Sequence, residues 1–278
     1  MKLLFILLAL FVQSSVNAQT DPELFPLADR KSGYIGYYLE DRTNVVKPQF
    51  CSASYNVDGY YLVSKGEHEY YDNGTRNEEH IPNTEKFALL NSKGQFVINF
   101  SDNYTSIGIQ SGLIEVEKNN FYGVVNDKNE IVIPLEYQEL DIKNQEVIIA
   151  RKNNRTGVIT KDNIIIIPFI YDEIFSYTEI STNNFYLIVS KDGKKGVIDK
   201  NNKFIIPLGE HDLEFITEKS ICLKKNEKFS LVTYDFKIIL PNSFEVMTLQ
   251  GVRKNEQEIY TKKNGKNYNF TIEGKLIK

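Results

Sequence analysis

Residues 121–134 read FYGVVNDKNEIVIP, and this stretch returns twice further along the chain. Residues 155–168 read RTGVITKDNIIIIP, and residues 194–207 read KKGVIDKNNKFIIP. In each copy a glycine precedes a proline by 11 residues, and the copies begin 34 and 39 residues apart. Two landmarks that keep their spacing in three copies indicate tandem repeats, and periods of this size are typical of solenoids, propellers and linear arrays.

Each copy reads as a β-hairpin. Asn129, Asn163 and Asn202 stand six positions after the glycine, and asparagine tolerates the left-handed backbone that a tight turn requires. The proline then ends the second strand, because it cannot donate a ladder hydrogen bond. Two short apolar runs follow each copy, so we expect four strands per repeat. Weaker copies are found at residues 230–241, 88–99 and, with one extra residue, 36–48.

The predicted fold class is therefore all-β, with tandem four-stranded repeats. Residues 164–167 are apolar on both faces, which predicts a strand that is covered from both sides. A β-propeller of about seven blades meets this need, and an open β-hairpin solenoid is the alternative. Residues 24–29 look like the last strand of a repeat and residues 267–277 like a first hairpin, so we expect the two ends to pair in one shared blade.

The repeated stretch resembles the bacterial WG-repeat family, whose units carry Trp-Gly at the start of a similar hairpin and a proline at its end. Residues 122–137 and 195–207 carry the resemblance most closely, and residues 155–172 are a third match. This chain lacks the tryptophan, whose position is occupied by Ile35, Phe87, Tyr122, Thr156, Lys195 and Phe229. The resemblance implies a repeat protein with a binding or interaction role, and it implies no cofactor.

The amino terminus indicates export. Residues 1–18 have a lysine, a short apolar segment and small residues before Gln19, which is the pattern of a secretory signal peptide. The apolar segment is shorter than the roughly 20 residues of a membrane-spanning helix. We expect residues 19–278 to form one repeat domain that is secreted or periplasmic, without a membrane span.

The net charge argues against nucleic-acid binding, and the cysteine content allows at most one disulfide. Removing residues 1–18 removes one lysine and no acid, so the formal net charge of −4 becomes −5. An acidic chain is a poor ligand for phosphate backbones, so we expect no nucleic-acid partner. Cys51 and Cys222 are the only cysteines. A disulfide between them is possible in an oxidising compartment, but they lie in distant repeats.

No catalytic or metal-binding motif is present in the sequence, so we predict no catalytic residues, no metal and no cofactor. Carboxylates recur after the prolines, as at Glu136, Asp172 and Glu245. They could ring a channel, or they are solvated strand ends that discourage edge pairing. Tyr137 and Tyr171 stand at a fixed repeat position, which predicts packing between repeats. His211 beside acids reads as a surface hydrogen-bonding residue.

The candidate binding site is an insertion. The first repeat has about 17 residues more than the others, and we place them between Lys65 and Glu85. Insertions of this kind fall on one face of a repeat array and are frequent binding sites, although some are merely tolerated loops. The candidate binding residues are His68, Tyr70, Tyr71, Asp72 and His80.

We therefore expect a secreted, non-catalytic binding or scaffolding protein that recognises another protein or a surface glycan. The tyrosines of the insertion would supply contact area, and its acids would select a cationic partner or a divalent metal. The alternative function is a carbohydrate- or peptide-active enzyme with carboxylates on one face of a propeller. Two carboxylates about 5 to 10 Å apart in an aromatic-lined pocket would favour the enzyme.

Overall fold

The computed structural model describes residues 21–66, 68–70, 76–80, 84–178, 185–209, 211–235, 237–251 and 256–277. These residues form seven antiparallel sheets that follow one another along the chain, together with one extra hairpin. The predicted signal segment, residues 1–18, lies outside the described residues. Within them, no helix is long and apolar enough to span a membrane.

Sheets 1 to 3 and the extra hairpin contain the first thirteen strands. Sheet 1 has three strands, β1 (Phe25–Ala28), β2 (Ile35–Tyr38) and β3 (Asn44–Phe50). The next six strands are β4 (Ser52–Ala53), β5 (Tyr60–Lys65), β6 (His68–Tyr70), β7 (Arg76–His80), β8 (Lys86–Asn91) and β9 (Phe96–Ile98). Sheet 2 has the order β4-β5-β8-β9, and β6-β7 is the extra hairpin. A 3₁₀ turn (Phe100–Asp102) leads to sheet 3, which comprises β10 (Ser106–Gln110), β11 (Leu113–Lys118), β12 (Phe121–Val125) and β13 (Ile131–Tyr137).

Sheets 4 to 7 repeat the order of sheet 3. Sheet 4 comprises β14 (Glu139–Ile142), β15 (Ile148–Lys152), β16 (Arg155–Ile159) and β17 (Ile165–Tyr171). Sheet 5 comprises β18 (Glu173–Thr178), β19 (Phe185–Lys191), β20 (Lys194–Ile198) and β21 (Phe204–Gly209). Sheet 6 comprises β22 (Asp212–Ile216), β23 (Ile221–Lys225), β24 (Lys228–Val232) and β25 (Ile238–Phe244). Sheet 7 comprises β26 (Val246–Gln250), β27 (Glu258–Lys263), β28 (Lys266–Thr271) and β29 (Leu276–Ile277).

The repeated hairpin forms the third and fourth strands of each four-stranded sheet, and the second and third strands of sheet 1. Its glycine is required because the fourth strand crosses closely: a Cβ on Gly123 would lie 2.6 Å from the carbonyl oxygen of Ile133. Its turn asparagines are left-handed, as predicted, with φ of 62° at Asn129 and 59° at Asn163. The two apolar runs that follow each hairpin start the next sheet, so the prediction of four strands per repeat is confirmed.

The core lies between the sheets. Six buried clusters are present in the described residues, and each joins one sheet to the next in sequence. The predicted inter-repeat packing is confirmed, since Tyr137 and Tyr171 are each 2% exposed. Their hydroxyls donate to the turn asparagines of the following sheet, Tyr137 to Asn163 Oδ1 at 2.6 Å and Tyr171 to Asn202 Oδ1 at 3.3 Å. Stacking of consecutive four-stranded sheets is common to the two predicted arrangements, and the fold class is confirmed at that level.

The prediction of a shared terminal blade was wrong. Phe25–Ala28 is the first strand of the three-stranded sheet 1 and pairs with β2. It occupies the position that the second strand has in the four-stranded sheets. Lys266–Thr271 and Leu276–Ile277 pair with each other and complete sheet 7. Each terminal segment resembles a repeat fragment because it is one, but its partners are its own sequence neighbours.

The expectation that residues 164–167 are covered on both sides was also wrong. Ile167 is fully buried, whereas Ile164 and Ile165 are 60% and 57% exposed. The fourth strand is the edge of its sheet, and a register shift against β16 separates the exposed start of the strand from its buried middle. The apolar composition of residues 164–167 therefore did not predict which of their side chains are buried. Cys51 and Cys222 are both free, and the latter is buried.

Candidate binding site

The insertion is where the sequence placed it. Between Lys65 and Lys86, the described strands β6 and β7 pair as a hairpin, in which the backbone of His68 lies opposite His80 and that of Tyr70 opposite Arg76. The structure thus brings three of the five candidate residues onto one hairpin. The other two, Tyr71 and Asp72, lie outside the described residues, so the binding role of the insertion stays a prediction.

The insertion occupies the place of a tight turn in the other sheets. In sheets 3 to 7, the second and third strands are joined by two residues that both have positive φ, as at Asn153 (52°) and Asn154 (59°) or Asn264 (51°) and Gly265 (73°). Such two-residue turns match the right-handed twist of the strands. We call the row of these turns, with the base of the insertion, the hairpin end of the protein.

Cations face each other across the turns of the hairpin end. The last residue of the second strand is a lysine in sheets 2 to 7, and in five of these six sheets its Cα partner on the third strand is also cationic. The five pairs are Lys65 with Lys86, Lys152 with Arg155, Lys191 with Lys194, Lys225 with Lys228, and Lys263 with Lys266. Like charges directly opposite in a sheet are destabilising. Their repetition in a chain with more acids than bases therefore needs an explanation.

These cation pairs were not predicted from the sequence. A signal for them was present, because the tetrapeptides KNNR, KDGK, KNEK and KNGK begin at residues 152, 191, 225 and 263. Their spacing follows that of the glycine and proline landmarks. The turn pairs of asparagine, aspartate and glycine in their middle would have identified a hairpin tip, and the flanking cations would then have been placed at one end of every sheet.

Two grooves at the hairpin end occupy equivalent positions in different sheets. The middle groove, of about 310 Å³, is lined by Tyr137, Lys152 and Arg155, with Glu136 and Phe169. The last-sheet groove, of about 410 Å³, is lined by Phe244, Lys263, Asn264, Lys266, Tyr268 and Phe270. In each groove the cations flank a turn, and an aromatic residue that ends the preceding sheet lies beneath the lysine.

The positive charge of the middle groove is neutralised by neighbouring carboxylates. Lys152 Nζ lies 2.7 Å from Glu136 Oε1, and this hydrogen bond raises the pKa of the lysine above its usual value. Arg155 pairs with Asp172 through its guanidinium. Lys152 Nζ also lies 5.7 Å from the centre of the Tyr137 ring. The two cations are thus each matched by a carboxylate, and little positive charge is left for a ligand.

The last-sheet groove differs in this respect. Among the described residues, Lys263 and Lys266 form no ion pair, although Lys263 Nζ lies 5.4 Å from the centre of the Phe244 ring. Glu245, the carboxylate that precedes sheet 7, accepts a hydrogen bond from Asn264 N at 3.2 Å and lies 3.8 Å from Lys228 Nζ. Among the described residues, the lining of this groove combines two cations and three aromatic rings with no carboxylate.

The repeated carboxylates after the prolines are half-exposed partners of cations. Asp172 Oδ2 accepts the amide of Asp192 at 2.7 Å, in addition to its pairing with Arg155. Lys195 and Asp212 form an equivalent pair between sheets 5 and 6. These contacts agree with the interpretation of the carboxylates as strand-end residues. His211 is half-buried beside this pair, and burial lowers its pKa, with the positive charge of Lys225 acting in the same direction.

Carboxylates also gather in a third groove and near it. The groove between sheets 4 and 5, of about 240 Å³, is lined by Glu139, Asp141 and Glu173, together with Arg151 and the exposed Phe175. Asp141 forms an ion pair with Lys143 at 2.8 Å. In sheet 3, burial raises the pKa of Glu115 to about 7, and the charges of Asp141 and Glu117 add to the shift. In the described residues, no group of three or more His, Cys, Asp and Glu side chains has the geometry of a metal site.

Comparison with known proteins agrees with the repeat assignment. Residues 122–155 and 157–194 match the family model described as "WG containing repeat". No curated protein matches the chain by sequence.

Several solved structures are similar over most of this chain at low identity. A eukaryotic initiation factor has 11% identity and a TM-score of 0.39, covering 92% of this chain and 73% of its own. PorZ, a surface component of the type-IX secretion system of Porphyromonas gingivalis, has 9% identity and a TM-score of 0.29, covering 92% and 36%. AztD of Citrobacter koseri has 12% identity and a TM-score of 0.28, covering 92% and 72%.

Proposed function

Because residues 122–155 and 157–194 match the WG-containing repeat, we propose that this chain is an exported, non-catalytic binding protein that binds a surface glycan or another protein at its hairpin end. Stacked repeats that bury their faces against each other present their turns as one continuous surface, and repeat proteins commonly bind through such surfaces. Export rests on the signal-like residues 1–18, and it is part of the proposal.

One observation carries the proposal, namely the cation pairs that face each other in sheets 2, 5, 6 and 7. The fifth pair, Lys152 with Arg155 in sheet 4, is matched by carboxylates of the protein and is not part of this argument. Opposed like charges weaken a hairpin, so folding alone does not favour them. An anionic group bound between the two cations removes that cost and forms charge-assisted hydrogen bonds. The insertion begins and ends at the same end of sheet 2, at the Lys65 and Lys86 pair, and would add contact area to the same surface.

The experiment compares two variants that remove the same number of lysines from opposite ends of the sheets. The first variant replaces the lysines of sheets 5 to 7 at the hairpin end by glutamine, at Lys191, Lys194, Lys225, Lys228, Lys263 and Lys266. The control replaces six exposed lysines at the turns between third and fourth strands, at Lys128, Lys161, Lys200, Lys203, Lys237 and Lys275. Both variants lose the same formal charge, so any difference reports on position.

Each protein is immobilised and exposed to the secreted and envelope fractions of the source cells, and the captured glycans and proteins are quantified. We expect the hairpin-end variant to lose most of the capture and the control to keep it. Equal capture by the two variants, with both folds intact by circular dichroism, would show that the hairpin end is not the binding surface.

The groove with Glu139 and Glu173 beside Phe175 keeps an enzyme as a second candidate. Glycoside hydrolysis uses a pair of carboxyl groups about 5 to 10 Å apart, and Glu139 and Glu173 are the residues that would supply it. The test is release of reducing ends from the polysaccharides of the envelope fraction by the intact protein and by Glu173→Gln. Release that depends on Glu173 would replace the proposed binding function by catalysis.

A further inference from the structure

The last-sheet groove, formed by Phe244, Lys263, Asn264, Lys266, Tyr268 and Phe270, has the properties of a small-molecule site. Its volume of about 410 Å³ lies within the range of roughly 300–1,000 Å³ for ligand pockets, which combine an apolar wall with a few polar groups.

The polar wall of the groove selects a negative charge. Lys263 and Lys266 face each other across a two-residue turn, and within the described part of the chain neither forms an ion pair. In the equivalent middle groove, Lys152 and Arg155 are matched by Glu136 and a second carboxylate. The same pair of positions is thus neutralised from within the protein in one sheet and left for an external anion in the other.

The apolar wall provides a surface for a ring. The half-buried rings of Tyr268 and Phe270 have centroids 6.4 Å apart and planes inclined by 34°, and Phe270 packs edge-on against Phe244 with centroids 6.0 Å apart. The contact with Phe244 fixes the Phe270 ring, so little side-chain entropy is lost when a ligand packs on it. Gly265 at the turn has open space around it, and a Cβ there would contact no atom within 4 Å.

We propose that the last-sheet groove binds a carboxylate-bearing sugar residue of a glycan. Lys263 and Lys266 hold the carboxylate through charge-assisted hydrogen bonds, and Tyr268 and Phe270 pack against the carbon–hydrogen face of the sugar ring. The inference rests on the proposed binding function and names the ligand class for one site of the hairpin end. A nucleic acid is a poorer occupant, because its affinity would require many cations along a track, and the middle groove of the same surface is already neutralised.

The test measures binding of trigalacturonate to the intact protein by titration calorimetry, with neutral galactotriose and inorganic phosphate as comparison ligands. The groove variant is K263Q/K266Q, and its matched control is K152Q/R155Q in the middle groove. Tyr268→Ala tests the ring contact separately. We expect the groove variant to bind trigalacturonate at least tenfold more weakly, which corresponds to about 1.4 kcal/mol, and the control to change the affinity less than twofold.

Four results would overturn the inference. These are no binding of trigalacturonate, an equal loss in the control, equal affinity for galactotriose, or phosphate binding as tight as that of the acidic sugar with no effect of Tyr268→Ala. The same titration with a short DNA duplex distinguishes a general polyanion site, which would bind the duplex more tightly than the sugar. If trigalacturonate fails while the hairpin-end lysines still control capture from envelope fractions, the ligand class is wrong and the proposed function stands. If that capture fails as well, both are wrong.

Discussion

Replacement of Ile167 by alanine tests whether stability arises between the sheets. Ile167 is fully buried in the cluster that joins sheets 4 and 5, where it packs with Val158, Tyr171 and Leu187. Truncating a buried isoleucine to alanine costs about 2–5 kcal/mol, because it loses both the transfer free energy and the contacts around the resulting cavity. The large size of the neighbouring side chains leaves little scope for collapse, so we expect the upper half of this range.

Ile165 provides the matched control because it lies on the same strand, two residues earlier, and is 57% exposed. Ile165→Ala removes the same atoms and the same strand propensity, which is worth up to about 1 kcal/mol. The difference between the variants therefore isolates burial. Urea denaturation followed by circular dichroism gives the free energy of unfolding of each protein. Costs that agree within about 1 kcal/mol would refute the assignment of the core to the space between sheets.

Further predictions concern the turns, the inter-sheet hydrogen bonds and pH. Gly196→Ala should destabilise the protein by at least about 1–3 kcal/mol, because the added Cβ would lie 2.7 Å from a carbonyl oxygen, whereas Gly265→Asn should be nearly neutral in the same denaturation assay because asparagine tolerates φ of 73°. Tyr137→Phe should cost about 0.5–1.5 kcal/mol by removing the hydrogen bond to Asn163, and an unchanged unfolding midpoint would contradict this. Folding raises the pKa of Glu115 from 4.5 to about 7, so the folded state binds this proton more tightly than the unfolded state does. The resulting contribution to stability is fully present below pH 4.5 and is lost as pH rises through 7. Glu115→Gln should therefore remove this pH dependence from a profile of melting temperature against pH.

The repeat hairpin could be predicted from the sequence because two local constraints leave visible residues. One is the close approach of the fourth strand, which leaves space only for a small residue at Gly123, Gly157 and Gly196. The other is the left-handed turn at Asn129 and its equivalents. Both constraints involve residues about a dozen positions apart at most, so the local sequence shows them. The number of strands per repeat followed from the same spacing.

The assignment of strands to sheets and their exposure could not be predicted in the same way. A single residue, Gln138, joins β13 to β14, and nothing in the local sequence shows that a sheet ends there. Ile165 and Ile167 are identical residues on one strand, and their burial differs only because the next sheet covers the second. Such differences depend on contacts between distant residues, which a periodic pattern does not encode.

The candidate site was predicted only in part for a related reason. The insertion stood out as a change in repeat length, which the landmarks measure directly. The cation pairs did not, because a lysine near a turn is common and its significance depends on its cross-strand partner and on nearby carboxylates. Lys152 and Lys263 occupy the same position in their repeats, and within the described part of the chain Lys152 is paired with Glu136 whereas Lys263 has no carboxylate partner.

The location of the core explains why the hairpin end is free to carry opposed charges. The cluster between sheets 3 and 4 alone contains eight buried side chains, and full burial of each large aliphatic side chain contributes about 1.5–3 kcal/mol. A like-charged cross-strand pair costs at most about 1 kcal/mol, so each interface outweighs the pair at its edge several times over. The hairpin tips can therefore diverge from sheet to sheet without loss of the fold. Sheet 4 has a cation pair that is matched by carboxylates, sheet 2 has an insertion of 20 residues between Lys65 and Lys86, and sheet 7 has two lysines beside aromatic rings.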